Sequence, residues 1–107
     1  MSQIDRIEDV RTKRAESGRR YQEVLRRHSM SAGLYELPAG SADPQRPHDE
    51  DELYYVIAGA ASFECDGAVR AVTAGDTIFV AAREPHRFVD ITDDLSVLVV
   101  FAPAESG

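Results

Sequence analysis

The stretch that decides the fold is residues 40–59, GSADPQRPHDEDELYYVIAG. In it a proline-flanked acidic loop carrying His48 leads directly into an apolar segment, 52–58, which has the length of a strand. A second stretch, 75–90 (GDTIFVAAREPHRFVD), has the same order: a turn glycine, an apolar strand, a loop and then His86. Neither histidine indicates a function alone. Together, the two segments are the strongest functional evidence in the sequence.

The alternation of side chains along the first strand predicts that a carboxylate, Glu52, faces the same side as His48. It puts Glu52, Tyr54 and Val56 on one face, and His48 shares the parity of Glu52. A carboxylate followed by LYYVIA is not expected to face a barrel interior without a partner, because an unpaired buried charge is costly. If a neighbouring strand delivers His86, two imidazoles and one carboxylate converge as an open site for a divalent transition metal. The plainer interpretations are that His48 is a solvated loop histidine and that His86 is an ordinary histidine at the start of a strand.

The spacing in the first stretch resembles the first motif of the cupin superfamily. That motif has a glycine, five residues, His-x-His, three or four residues, a glutamate, six residues and a glycine. This chain has Gly40, an Arg-Pro-His triplet at 46–48, Glu52 and Gly59, with every interval kept.

The second stretch resembles the second cupin motif in the same way. The motif has a glycine, five residues, Pro-x-Gly, two residues, a histidine, three residues and an asparagine. Here Gly75, an Ala-Ala-Arg triplet at 81–83, His86 and Asp90 stand at those positions. A spacing match over residues 40–90 is a strong indication of fold.

The resemblance implies a small RmlC-like cupin: an all-β double-stranded β-helix (a jelly-roll barrel) with one N-terminal α-helix. We expect a single domain over 1–107, with the helix in 1–18, the barrel in 19–102 and a frayed tail in 103–107. Strands of five to eight residues separated by brief breaks agree with this class. The resemblance also implies a homodimer, and segment 95–102 (LSVLVVFA), apolar on both alternating faces, offers an interface.

In this family, two histidines of the first motif, its glutamate and the second-motif histidine commonly bind one metal ion. Carried over, His48, Glu52 and His86 occupy ligand positions, and Arg46 replaces the remaining histidine. The resemblance therefore implies one divalent transition metal ion (iron, manganese, nickel, zinc or copper) with open positions for water or substrate. Arginine cannot ligate because it stays protonated. The alternative is a barrel that has lost its metal.

Arg46 has two interpretations of equal weight. It is either a surface ion pair with Glu50 or Asp51, or an anion clamp at the mouth of the pocket. A shift of the loop is a further route to a fourth ligand, through Gln45, Asp49 or Glu50.

The leading hypothesis is a metal-dependent cupin that binds or transforms a small organic molecule by dioxygenase-like or isomerase-like chemistry. Arg46, Tyr54 and Phe88 are expected to contact that molecule, although strand aromatics are more often ordinary core. The alternative is a non-catalytic ligand-binding or sensor module, and a third hypothesis is an oligomerisation domain with a vestigial site. Fold alone does not choose among them.

Composition argues against other classes. The net charge of -7 argues against nucleic acid as a partner. No apolar run approaches the ~20 residues of a membrane span, and the N-terminus has no apolar leader core. Cys65 is the only cysteine, so no intrachain disulfide forms, which fits a reducing cytoplasm.

Local patterns predict the N-terminal helix. Ser2 followed by Asp5 resembles a capping box and predicts a helix over residues 3–16. Gly18 is the expected stop.

Local patterns also predict short strands and one hairpin register. Strands are expected at 21–27 and 31–37. A three-residue hairpin loop at 65–67 pairs Phe63 with Val69 and keeps apolar residues on one face, which favours it over a two-residue loop.

Overall fold

Two long antiparallel strands form the frame of the structure, a computed structural model that describes residues 1–106. One runs from Asp51 to Cys65 and the other from His86 to Ala102, and they pair along most of their length. The elements in chain order are α1 (Ile7–Ser17), β1 (Tyr21–Arg26), β2 (Ser31–Leu37), β3 (Asp51–Cys65), β4 (Ala68–Thr73), β5 (Thr77–Val80) and β6 (His86–Ala102). The predicted all-β class with one N-terminal helix is confirmed.

The other strands extend this frame on both sides. β6 also pairs with β2, and β2 pairs with β1. β3 pairs with β5 along its first half and with β4 along its second half. All five pairings are antiparallel, and the inward side chains of both halves, including Tyr54, Phe63, Phe88 and Val97, form one buried cluster. The sheet therefore encloses a single core, as the predicted jelly-roll barrel requires.

The two frame strands are longer than the sequence predicts. Bulges between Val56 and Ser62 shift the register and let β3 continue through Gly59, where a break is expected. Gly59 has a φ of 99°, and a Cβ at this position would lie 2.3 Å from the carbonyl oxygen of Asp94. Glycine is thus required where the bent strands approach each other closely.

The helix begins later than predicted. α1 starts at Ile7, and Arg6 stands at its N-cap without a side-chain hydrogen bond to the helix. The expected capping box is wrong, because the side chain of Asp5 instead accepts a hydrogen bond from the Gln3 amide at 2.8 Å. The helix ends as predicted at Gly18, which is left-handed with a φ of 73°. No helix among residues 1–106 is long and apolar enough to cross a membrane.

The predicted register of the β3–β4 hairpin is also wrong. Phe63 pairs with Arg70, and Cys65 pairs with Ala68 around a two-residue turn. Both turn residues have positive φ, 52° at Asp66 and 78° at Gly67, which is the geometry of a type I′ turn. Matching apolar residues misled the sequence argument because β4 is mostly exposed, so its side chains do not need one buried face.

The outer face of the sheet carries an apolar patch. Leu53, Tyr55 and Phe79 are 44%, 45% and 64% exposed. The register places Leu53 between Phe79 and Val100, and Tyr55 beside Leu98. We call these five residues the outer patch. α1 contacts β1 and β2, and segment 95–102 is covered by the core on its inner face while its outer face is only half-buried.

The C-terminal tail folds back over the barrel, so the expected fraying is wrong for residues 103–106. The backbone N–H of Glu105 donates to the hydroxyl of Ser31 at 2.9 Å. The hydroxyl of Ser106 donates to the carboxylate of Glu50 at 2.8 Å. Ser31 and Glu50 are both buried, and the tail supplies the hydrogen bonds that buried polar groups require.

Candidate functional site

A cavity of about 240 Å³ lies inside the barrel. Strands β1, β2, β3 and β6, the loop before β3 and the tail all contribute to its wall. The polar side chains that line it are Arg20, Tyr21, Tyr35, Gln45, His48, Glu52, Tyr54 and Glu105. The cavity therefore joins a strand carboxylate, a loop histidine and a tail carboxylate in one space.

Glu52 and His86 form a buried pair beside this cavity. Oε1 of Glu52 lies 3.1 Å from Nε2 of His86, and the two side chains are 2% and 1% exposed. β3 carries Glu52 between Phe101 of β6 and Val80 of β5, with its side chain inward. The second carboxylate oxygen, Oε2, is buried without a hydrogen-bond partner. One oxygen of this carboxylate thus remains available to a cation.

His86 is fixed from its other side as well. Its Nδ1 lies 2.8 Å from the backbone carbonyl oxygen of Glu84, so this nitrogen donates. Burial lowers the pKa of His86, but the hydrogen bonds to Glu52 and to the Glu84 carbonyl outweigh burial and raise the pKa above its usual value. When the ring is neutral, the Nδ1–H bond leaves the lone pair on Nε2, facing Glu52.

Tyr54 brings a hydroxyl into the same pair. Its oxygen lies 3.0 Å from Nε2 of His86 and donates to the side-chain carbonyl of Gln45 at 2.9 Å. Burial and the neighbouring charge of Glu52 raise the pKa of Tyr54 well above its usual value, so the phenol stays protonated. Phe88, predicted to contact a ligand, is 1% exposed and packs edge-on against Tyr54 in the core.

His48 faces a different partner from the one predicted. Its Nδ1 lies 3.1 Å from Oε2 of Glu105 in the tail. Its ring packs edge-on against Phe101 at 4.9 Å, and its centroid is 6.3 Å from that of His86. The structure therefore brings two of the three predicted ligands into contact, and it places the third on the cavity wall.

The side chains of Glu52, His86 and His48 are of the types that bind a divalent transition metal. Within residues 1–106, no three His, Cys, Asp or Glu side chains are gathered closely enough to hold one ion as they stand. The chemistry is nevertheless suitable. Glu52 has one buried oxygen without a hydrogen-bond partner, and both histidines place Nδ1 on an acceptor. Nε2 is therefore the nitrogen that would bind an ion, and in His86 the ion would replace the present contacts of Nε2 with Glu52 and Tyr54. Metal-binding histidines are held in this way by partners of the second ring nitrogen.

The roles predicted for Arg46 stay predictions. Its side chain is exposed and is absent from the cavity wall. Of its expected ion-pair partners, Glu50 accepts from Ser106, and Asp51 accepts from the backbone of Ala82. The guanidinium that does line the cavity belongs to Arg20, which the sequence argument missed because a residue before a short strand carries no motif signal.

Asp43 organises the loop before β3 and was also missed. It is 9% exposed and accepts hydrogen bonds from the Tyr35 hydroxyl at 2.5 Å and from the backbone N–H of Phe88 at 2.9 Å. It also accepts from the Gln45 side-chain amide at 2.6 Å and from the Gln45 backbone N–H at 3.3 Å. Asp43 thus ties the loop that carries His48 to β2 and β6. An aspartate before a proline reads as an ordinary turn residue, so the sequence gives no signal for this role.

Comparison with known proteins agrees with this architecture. The family model described as Cupin domain matches residues 33–101. An uncharacterised protein of Streptomyces coelicolor is 41% identical over 101 residues, covering 94% of this chain and 96% of that protein. Dimethylsulfoniopropionate lyase DddQ from Ruegeria pomeroyi is 34% identical over 59 residues, covering 54% of this chain and 29% of the lyase.

Solved structures are similar over most of this chain. An RmlC-like cupin from Shewanella frigidimarina superposes with a TM-score of 0.71 at 25% identity, covering 78% of this chain and 75% of that one. The crystal structure of DddQ gives a TM-score of 0.69 at 25% identity and covers 82% of this chain and 49% of the lyase. The chain thus spans about half of the lyase structure.

Proposed function

This chain belongs to the cupin family, and on that premise we propose that its barrel binds and transforms a small organic molecule at a metal centre. Glu52, His86 and His48 would hold one divalent transition metal ion, drawn from iron, manganese, nickel, zinc and copper. The bound ion would supply Lewis-acid polarisation of the molecule. The cavity beside these residues, at about 240 Å³, has room for a small ligand.

The observation that carries this proposal is the unpaired Oε2 of Glu52. A buried carboxylate normally has each oxygen paired, because leaving a charged acceptor unsatisfied costs several kcal/mol, roughly 2–7 even for a neutral group. Here Oε1 contacts His86 and Oε2 has no hydrogen-bond partner. A cation bound between Oε2 and the two imidazoles would satisfy this oxygen.

The Tyr54 phenol supports proton-moving chemistry within that function. It stays protonated, it is fully buried and its oxygen lies 3.0 Å from Nε2 of His86. A positioned hydroxyl on the cavity wall can hand a proton to a bound molecule and recover one from that molecule or from water later in the reaction. We therefore favour isomerase-like chemistry over dioxygenase-like chemistry. We include lyase-like chemistry beside it, because the similar protein DddQ is named a lyase.

The second candidate function is a ligand-binding or sensor module without catalysis. It is favoured by the pairs Glu52–His86 and His48–Glu105, which engage both histidines with carboxylates of the chain itself. A cavity organised in this way can hold a small molecule by packing and hydrogen bonds alone. Metal content distinguishes the two candidates.

A homodimer through the outer patch completes the proposal. The patch residues carry no charge, whereas the chain as a whole carries a net charge of -7, so two copies can meet on these residues without like-charge repulsion between them. A flat apolar sheet face is also self-complementary across a two-fold axis. Light scattering should therefore show a dimer for the wild type and a monomer for Leu53→Asp, whereas Val69→Asp on exposed β4 serves as the matched control.

Metal analysis of protein purified without added metal tests the central proposal. We expect about one ion per chain in the wild type, as a single site requires, and almost none in the His48→Ala, His86→Ala double variant. His28→Ala, which removes an exposed histidine outside the site, should leave the metal content unchanged. Equally little metal in wild type and double variant would overturn the metal centre and favour the binding module.

Tyr54→Phe tests the proton-moving step. With a substrate found in a panel of small acids and sugars, turnover should fall roughly 100-fold, the usual contribution of general acid–base catalysis. Metal content should not change. Wild-type turnover in Tyr54→Phe would show that the phenol takes no part in the reaction.

A further inference from the structure

The C-terminal tail places a carboxylate directly on the loop histidine. Oε2 of Glu105 lies 3.1 Å from Nδ1 of His48, and the two side chains are 20% and 17% exposed. Glu105 lies more than fifty residues from His48 in sequence and belongs to neither motif. This contact is therefore a product of the tail folding over the barrel.

The tail is anchored on both sides of this contact. The backbone N–H of Glu105 donates to Ser31, and the next residue, Ser106, donates to Glu50. Phe101 packs against the other side of the His48 ring, at a centroid distance of 4.9 Å. The carboxylate and the ring are thus each restrained, so the hydrogen bond between them has a defined direction.

We propose that Glu105 is a positioning residue for His48. By accepting a hydrogen bond from Nδ1, Glu105 selects the Nδ1–H tautomer and leaves the Nε2 lone pair free to bind a metal ion. This inference rests on the metal centre proposed above. It gives His48 the same arrangement as His86, whose Nδ1 donates to the carbonyl of Glu84.

The proposal also accounts for the exposed Arg46. The family resemblance puts a ligand at that position, but the side chain lies in solvent. The loop then contributes only His48, whose orientation depends on a partner outside the loop. The tail supplies that partner through Glu105.

The tautomer of His48 in metal-free protein gives a direct test. Long-range ¹H–¹⁵N NMR spectra distinguish protonated from unprotonated ring nitrogens, and the His48 signals are identified by their loss in His48→Ala. We expect Nδ1 to carry the proton in the wild type and in Glu105→Gln, which keeps an acceptor oxygen. In Glu105→Ala the proton should shift toward Nε2, and in Ser106→Ala, the matched tail control, it should stay on Nδ1.

Metal affinity gives the second readout. Zn²⁺ titration should show about 10–100-fold weaker binding in Glu105→Ala than in the wild type, as for other partners that orient metal-binding histidines. Glu105→Gln should lose less, because its side-chain oxygen still accepts from Nδ1.

The outcomes separate this proposal from the proposed function. An Nε2–H tautomer in the wild type, or an equal change in Ser106→Ala and Glu105→Ala, overturns the role of Glu105 whatever the metal content. Alternatively, the proton lies on Nδ1 of His48 in the wild type and in Glu105→Gln but not in Glu105→Ala, while none of these proteins binds Zn²⁺. That result supports the positioning contact and overturns the metal centre. Thermal melting of each variant identifies any that do not fold, and Glu105→Gln, the least disruptive change, then carries the test.

Discussion

Two glutamates on neighbouring parts of the sheet, the half-buried Glu36 and the buried Glu52, differ in how their oxygens are satisfied. Glu36 on β2 has both oxygens paired, Oε2 with Nε of Arg11 at 3.0 Å and Oε1 with Nε of Arg14 at 2.6 Å. Glu52 on β3 has one oxygen paired with His86 and one without a partner. Glu36 joins α1 to the sheet, whereas Glu52 keeps a free acceptor inside the barrel. A carboxylate with completed pairing is structural, and one with incomplete pairing is a candidate for function.

This contrast predicts different metal affinities for Glu52→Gln and Glu36→Gln. The largest effect is expected for Glu52→Gln, because the amide carries no negative charge for a cation. Metal affinity, measured by Zn²⁺ titration, should fall by more than about 100-fold, beyond the loss expected for a partner that only orients a ligand. Stability should fall as well, because the buried His86 loses the charge of its carboxylate partner.

Glu64→Gln is the matched control, because Glu64 lies on the same strand as Glu52 and forms an exposed ion pair with Arg87 of β6. Its metal affinity should equal that of the wild type. Unchanged affinity in Glu52→Gln would remove the functional distinction between Glu36 and Glu52.

The next effect is on stability. Glu36→Gln should lower the free energy of unfolding at pH 7 by about 1.5 kcal/mol, since hydrogen bonds to charged groups contribute about 1.5–3 kcal/mol and partial exposure of Arg11 weakens them. Urea denaturation of the metal-free protein measures this. Metal affinity should stay at the wild-type value, and a loss of both stability and affinity would contradict the separation of roles.

A smaller, pH-dependent effect follows from the same pairing. Burial raises the pKa of Glu36, but hydrogen bonds from Ser96, Arg11 and Arg14 outweigh burial and lower the pKa below its usual value. The ionised carboxylate therefore stabilises the fold above the unfolded-state pKa, about 4.3. That contribution is lost as pH falls through the lower, folded-state pKa.

Urea denaturation as a function of pH compares the two proteins. The difference in unfolding free energy between wild type and Glu36→Gln should be constant above about pH 5.5 and should shrink below about pH 4.3. A difference that grows as pH falls would mean that the pKa of Glu36 is raised in the folded state.

The fold was predictable because its signals are local and periodic. Glycine and histidine spacing over residues 40–90, with alternating apolar residues, predicted the barrel and the neighbouring positions of Glu52 and His86. Both side chains sit on regular strands, where position along the chain fixes the direction of the side chain. The β3–β4 register was missed because β4 is mostly exposed, so burial does not select a face.

The rest of the site depends on contacts that spacing does not encode. Glu105 reaches His48 because the tail folds back, Arg20 reaches the cavity from the start of β1, and Asp43 holds the loop through Tyr35. Each contact joins segments that are remote in sequence or irregular in backbone. The direction of the Arg46 side chain could not be predicted for the same reason, since a loop residue has no periodicity to indicate which way it faces.

The metal centre can be tested by anomalous diffraction at a metal absorption edge, from crystals grown with a divalent transition metal. We expect a single anomalous peak within bonding distance of Oε2 of Glu52 and Nε2 of His86, with His48 turned toward it. Glu105 should remain on Nδ1 of His48. Metal-supplemented crystals with no peak at this position, and with the Glu52–His86 hydrogen bond intact, would contradict the proposed metal centre.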